Sequence, residues 1–185
     1  MHPQTLFDAT ELGHLRSVSG TTHAALANNL KAYLDAHNSA PVAGANVAGF
    51  AIMTRIYGDR PKDMTTARDS LINHCNGAWS NDHDLNQAYD ILNGAIGYDV
   101  LFDLLTPAQQ SACRSRIATS AKDLADAADA GIWWNTDLVN NHNWVNYASI
   151  GIAGAVGLPN GTWGLSHILR MSDVQQEEAP GGSTQ

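Results

Sequence analysis

Asparagine, histidine and tryptophan crowd into one stretch of this chain, Trp133-Trp134-Asn135 through Asn140-Asn141-His142-Asn143-Trp144-Val145-Asn146-Tyr147. Each buried amide needs several hydrogen-bond partners, so a core has little use for so many side by side. A carbohydrate suits them better: indole faces stack on sugar rings, and asparagines donate to and accept from hydroxyls. A run of small and apolar residues, Ala148 to Gly157, follows directly. The stretch therefore reads as a polar, aromatic loop feeding the N-terminus of a tightly packed helix over about Tyr147 to Val156. Such a terminus favours an anionic group such as a carboxylate. The alternative is a structural loop whose asparagines cap helices and satisfy turns. Both readings stand on composition alone.

The elements that must position this stretch read as helices. The chain has 185 residues, the size of one domain, and 44% hydrophobic content is ample for a core. Asp8 to Leu12 is a short helical turn. Helices are expected over about Thr22 to Ala36, Val47 to Tyr57, Lys62 to Asn76 and Leu85 to Leu105, on apolar spacing. Trp79 to Asp84 is a polar turn, with Asp84 placed to cap the helix after it. Gly94 and Gly97 lower that helix's propensity and point to close contact or a bend. Thr106-Pro107-Ala108-Gln109 carries a cap, a proline at the first helical position and a capping box, and opens a helix to about Ala130. A last helix covers Trp163 to about Gln176. No segment shows strand alternation.

Charge and cysteine bound the function. A net charge of −8 with scattered lysines and arginines excludes a nucleic-acid binder of the usual basic kind. Binding of any anionic ligand must rest on a local site. No window approaches the roughly 18 apolar residues of a membrane span. Nothing at the start reads as a secretory signal, which leaves the compartment open. Cys75 and Cys113 fall on the apolar faces of separate helices; the reading favours two buried free thiols over a disulfide, without deciding it. No compact metal-ligand spacing occurs, so neither metal nor cofactor is expected. His74 reads as a boundary residue and His83 as part of a solvated cap turn, with substrate binding by His83 as the alternative.

Several segments, in order, carry a resemblance. They are His2-Pro3 with Leu6-Phe7 and Glu11-Leu12, then Tyr57-Gly58-Asp59, then Gly97 through Thr106, and finally Asn141-His142-Asn143-Trp144-Val145-Asn146. Tyr98-Asp99-x-Leu101-x-Asp103-x-Leu105-Thr106 and Asn141-His142-x-x-x-Asn146 carry most of the specificity. Together they resemble the N-terminal helical domain of the heparinase II/III-like superfamily of uronate polysaccharide lyases, with which alginate lyases and dermatan-sulfate epimerase belong.

The resemblance implies an all-α chain forming an incomplete (α/α) toroid of antiparallel helical hairpins. Residues 1–185 would be a single helical domain, the N-terminal part of a longer toroid, with a flexible tail over 177–185. It implies β-elimination at C4 of a uronic acid. The carboxylate must be neutralised, a base must take the C5 proton, and an acid must protonate the leaving oxygen. Asn141 and His142 match the catalytic pair that neutralises the carboxylate, with His142 also serving as base on substrates of one C5 configuration. Asn146 matches a further polar position. Trp133, Trp134 and Trp144 can stack on sugars, one or two of them packing inward instead, and Tyr98 and Trp79 complete the substrate-binding set.

The family's catalytic tyrosine, second histidine and β-sheet domain fall beyond the last residues here, so part of an active site is expected. The implied partner is an anionic polysaccharide or oligosaccharide, and the implied location extracellular or periplasmic. A uronate C5-epimerase and a non-catalytic carbohydrate-binding fragment stand as alternatives. A glycoside hydrolase is disfavoured because no two carboxylates share comparable motif context.

Overall fold

The computed structural model describes residues 7–39, 41–42, 46–57, 60–137 and 139–156. Among them the chain is all helical, with no strand. The expected helix over 163–176 and the tail over 177–185 lie outside the described residues.

Helix α1, Ala9–Ser19, is longer than the expected turn. Asp8 accepts from the Thr10 and Glu11 N–H groups at 2.7 and 2.8 Å, and Glu11 accepts from the Asp8 N–H at 2.8 Å. This reciprocal capping box satisfies donors that would otherwise fray the first turn. α2 spans Ala24–His37 and buries Ala27 and Leu34. Leu26 on the same helix is 57% exposed. α3, Val47–Ile56, buries Val47, Phe50, Ala51 and Thr54.

Proline at the first helical position opens both α4, Pro61–Asn76, and α6, Pro107–Asp129. At the latter the Thr106–Gln109 capping box forms as the residues dictate. α5 runs Leu85–Leu101 and passes into a 3-10 turn, Phe102–Leu104. The short α7, Trp133–Thr136, and α8, Asn141–Ala155, complete the set.

α5 is the central helix. It packs against α3, α4, α6 and α8, while α6 also touches α4 and α8. Eleven of its residues are buried, including Ala88, Ile91, Ala95, Tyr98 and Leu101. Gly94 explains one close approach: a Cβ there would stand 2.6 Å from the Trp79 ring, which also donates its indole N–H to the His74 carbonyl. At Gly97 the neighbours are the Leu71 and Val47 side chains.

The two cysteines overturn the favoured reading of free thiols. Cys75 on α4 and Cys113 on α6 form a disulfide, with their Cα atoms 5.0 Å apart. Each lies on an apolar face, as expected, but local spacing carries no information about which faces meet. Closing a loop of this length stabilises the folded state by about 4 kcal/mol through the entropy removed from the unfolded chain.

Candidate functional site

Asn140 sets the start of α8. Its side chain accepts from the His142 N–H at 2.9 Å, so the helix begins at Asn141. This corrects the expectation of a loop up to Tyr147: residues 141–146 are the first turns of α8. The consequence is geometric. His142 and Asn146 are four apart on a helix and share one face.

Both reach the same atom. His142 Nδ1 lies 2.6 Å from Asp84 Oδ1, and Asn146 Nδ2 donates to that oxygen at 3.2 Å. Asp84 sits at the N-cap position of α5, as its place in the sequence suggested, but its side chain makes no capping bond. Asp82 takes that work instead. It accepts from the N–H groups of Asp84 and Gln87, both at 3.1 Å, and from Asn86 Nδ2 at 2.7 Å. Burial raises the Asp82 pKa, yet these hydrogen bonds and one to Ser80 outweigh it and hold the carboxyl below its ordinary value. Asp84 is thereby released to face α8.

The Asp84–His142 pair has a defined polarity. An ionised carboxylate can only accept, so Nδ1 carries the proton and Nε2 keeps its lone pair. No described residue supplies a partner for Nε2. The side chains of His142 and Asp84 are 28% and 24% exposed, so the pair is half-buried and reachable. The Trp133 ring lies over His142, with centroids 5.0 Å apart, and is 51% exposed. Asn141, next to His142 at the open end of α8, is exposed.

Below this pair lies a buried layer. Trp134 is fully buried and donates its indole N–H to the His83 carbonyl at 2.6 Å. Asn143 donates to the Trp134 carbonyl at 3.1 Å, and Tyr147 meets the Trp134 ring edge-on. His83 holds a left-handed backbone, φ 55°, which costs a side-chain-bearing residue about 1 kcal/mol. Its N–H donates to Gln87 Oε1 at 3.0 Å, and its ring Nε2 lies 3.1 Å from Asp123 Oδ2. His83 is thus more than a solvated cap turn. Asn146 is also fully buried, and its Oδ1 finds no partner among the described residues.

Of the residues singled out from sequence, the fold brings together His142, Asn146 and Trp133, with exposed Asn141 next to His142 in the first turn of α8. Trp134 supports them from beneath and offers no face to a ligand. Trp144 is 52% exposed, two positions from His142 and so on another side of α8. Tyr98 is buried about 20 Å along α5 from Asp84, its hydroxyl accepting from Arg114 at 2.9 and 3.2 Å. Trp79 packs at Gly94, stacked on His74 with Arg116 over its ring. Tyr98 and Trp79 therefore belong to the packing rather than to this cluster. Asp84 is the residue that sequence reasoning missed. The available signal was Asp82, a second capping acceptor two residues earlier.

Two grooves lie away from His142. One, of about 280 Å³, is apolar and lined by Leu15, Val18, Leu26, Leu30 and Tyr57. The other, of about 200 Å³, sits beside the disulfide. Among the described residues no three His, Cys, Asp or Glu side chains group to hold a metal, and no helix is long and apolar enough to cross a membrane. Compared with known proteins, the chain matches no protein-family model and no curated protein.

Proposed function

We propose that this chain is the helical part of a uronate polysaccharide lyase in which His142 is the proton-abstracting base. The observation that carries the reading is the 2.6 Å contact of His142 Nδ1 with Asp84. It fixes the tautomer with the proton on Nδ1 and leaves Nε2, on a partly exposed ring, as the nitrogen with a lone pair for a proton. Trp133 beside the ring offers a stacking face for a pyranose. Exposed Asn141 and the positive end of α8 favour the uronate carboxylate, whose neutralisation acidifies the C5–H bond.

In the elimination, His142 removes the C5 proton, the electron pair forms the C4–C5 double bond, and the C4–O bond breaks. The leaving oxygen takes a proton from an acid that the family resemblance puts beyond these helices. The reading carries with it an incomplete (α/α) toroid, for which the packing of α3 on α5 and of α5 on α8 is the support. A disulfide between α4 and α6 supports an oxidising compartment, extracellular or periplasmic.

The test is ultraviolet absorbance of the 4,5-unsaturated product with alginate, heparan and chondroitin polymers. We expect product from a longer chain that also carries this acid, and its disappearance in His142→Ala of that chain. Retained polymer binding without product, unchanged by His142→Ala, would count against the lyase reading and for a carbohydrate-binding fragment.

A further inference from the structure

We infer that Trp134, which no polymer can touch in this fold, is the positioning residue of the Asp84–His142 pair. The inference rests on the proposed role of His142 for its catalytic consequence, and on geometry for the positioning itself.

The pair is assembled from two elements far apart in sequence. Asp84 begins α5 and His142 belongs to the first turn of α8. Trp134 is bonded to both sides. Toward α5, its indole N–H holds the carbonyl of His83, the residue immediately before Asp84. Toward α8, its own carbonyl accepts from Asn143, the residue immediately after His142, and its ring meets Tyr147. One fully buried residue, by its indole on the α5 side and by its main-chain carbonyl and ring edge on the α8 side, therefore ties together the two backbones that carry Asp84 and His142. A planar two-ring side chain locked by packing is suited to that task, because it has few rotamers to lose.

His83 is the relay. Its left-handed backbone is held on three sides: the carbonyl by Trp134, the N–H by buried Gln87, and the ring by Asp123 on α6. Gln87 is itself held by Ser120 and Asp123. The turn directs Asp84 outward to α8, while Asp82 occupies the α5 donors that would compete for its carboxylate. Other titratable groups around the pair are Asp82, His83, Asp123 and Asp137, the last accepting from Asn140 beside the start of α8, and each has its own partners.

The experiment is ¹⁵N and ¹H NMR of the His142 ring in the intact chain, reading the tautomer and the Nδ1–H resonance. Asp84→Asn should weaken the preference for the Nδ1–H tautomer, since an amide can turn either an acceptor or a donor toward the ring. Trp134→Phe keeps a ring in the core but deletes the N–H; it should dilute the Nδ1–H tautomer in the same direction by less. Asn143→Ala, which cuts the link on the α8 side, should do likewise. In a His83→Gly background, where the left-handed turn is unstrained, Trp134→Phe should have a smaller effect. Loss of stability alone would not move these readouts.

An unchanged His142 ring in both Trp134→Phe and Asn143→Ala, with Asp84→Asn shifting it, overturns the inference. An unchanged ring in Asp84→Asn overturns it too, by removing the pair. Absence of lyase product from a longer chain that carries the acid, with the NMR changes present, would sink the proposed reaction and leave the positioning intact.

Discussion

Three consecutive side chains, Asp82, His83 and Asp84, do three different things within one turn. Asp82 caps α5, His83 anchors to α6 and α7, and Asp84 reaches α8. This division of roles predicts opposite phenotypes for neighbouring mutations. Asp82→Ala should lower stability by about 1 kcal/mol, the cost of a lost cap, in a urea titration. Asp84→Asn should leave stability nearly unchanged and cut turnover about 100-fold or more, because the base loses its orienting partner.

The pH dependence follows from Asp82. Its folded carboxyl titrates below the unfolded value, so its contribution is present above the unfolded pKa and lost as pH falls through the lower folded one. Wild type and Asp82→Asn should therefore converge in stability at acid pH and diverge above it. A constant difference across that range would show that the hydrogen bonds are made equally by the protonated form. At this scale the sequence was partly readable. Asn141, His142 and Asn146 stood out by type and spacing, whereas Asp84 looked like an ordinary cap because its partner is 58 residues away.

Helix boundaries followed from local chemistry where that chemistry was read in full. The Thr106–Gln109 capping box and the prolines opening α4 and α6 are decided within a turn. At α1 the equivalent pair, Asp8 and Glu11, went unread, and the expected helix was too short. At α8 the polar residues suggested a loop, but Asn140 caps the helix, and Asn143 and Asn146 are buried against its neighbours. Glycine separates the two kinds of helix interior. At Gly13 in α1 a Cβ would meet nothing within 4 Å, so Gly13→Ala should stabilise the fold by up to about 1 kcal/mol. Gly94→Ala should destabilise by about 1–3 kcal/mol, since the Trp79 ring must move. Thermal melts of the two variants should shift in opposite directions, and a shared sign would mean that Trp79 is not seated there.

For the molecule as a whole, the all-helical class was evident from apolar periodicity, while helix pairing was not. Nothing near Cys75 or Cys113 announces that α4 and α6 adjoin, and the disulfide shows it. Reduction should lower the unfolding free energy by about 4 kcal/mol, measured by urea denaturation with and without a phosphine reductant. A shift under about 1 kcal/mol would mean that the reduced, unfolded chain already keeps these helices near one another.

The same cross-link has a consequence for chain continuity. The exposed turn around Asn81 and Asp82 lies between the two bridged cysteines. A protease that cuts there severs the backbone without releasing a fragment, and the nicked species migrates as one band until thiol is added. Such a nick leaves a new amino terminus just ahead of His83 and Asp84, so the turn that aims the carboxylate loses its upstream tether in a molecule that is still covalently whole.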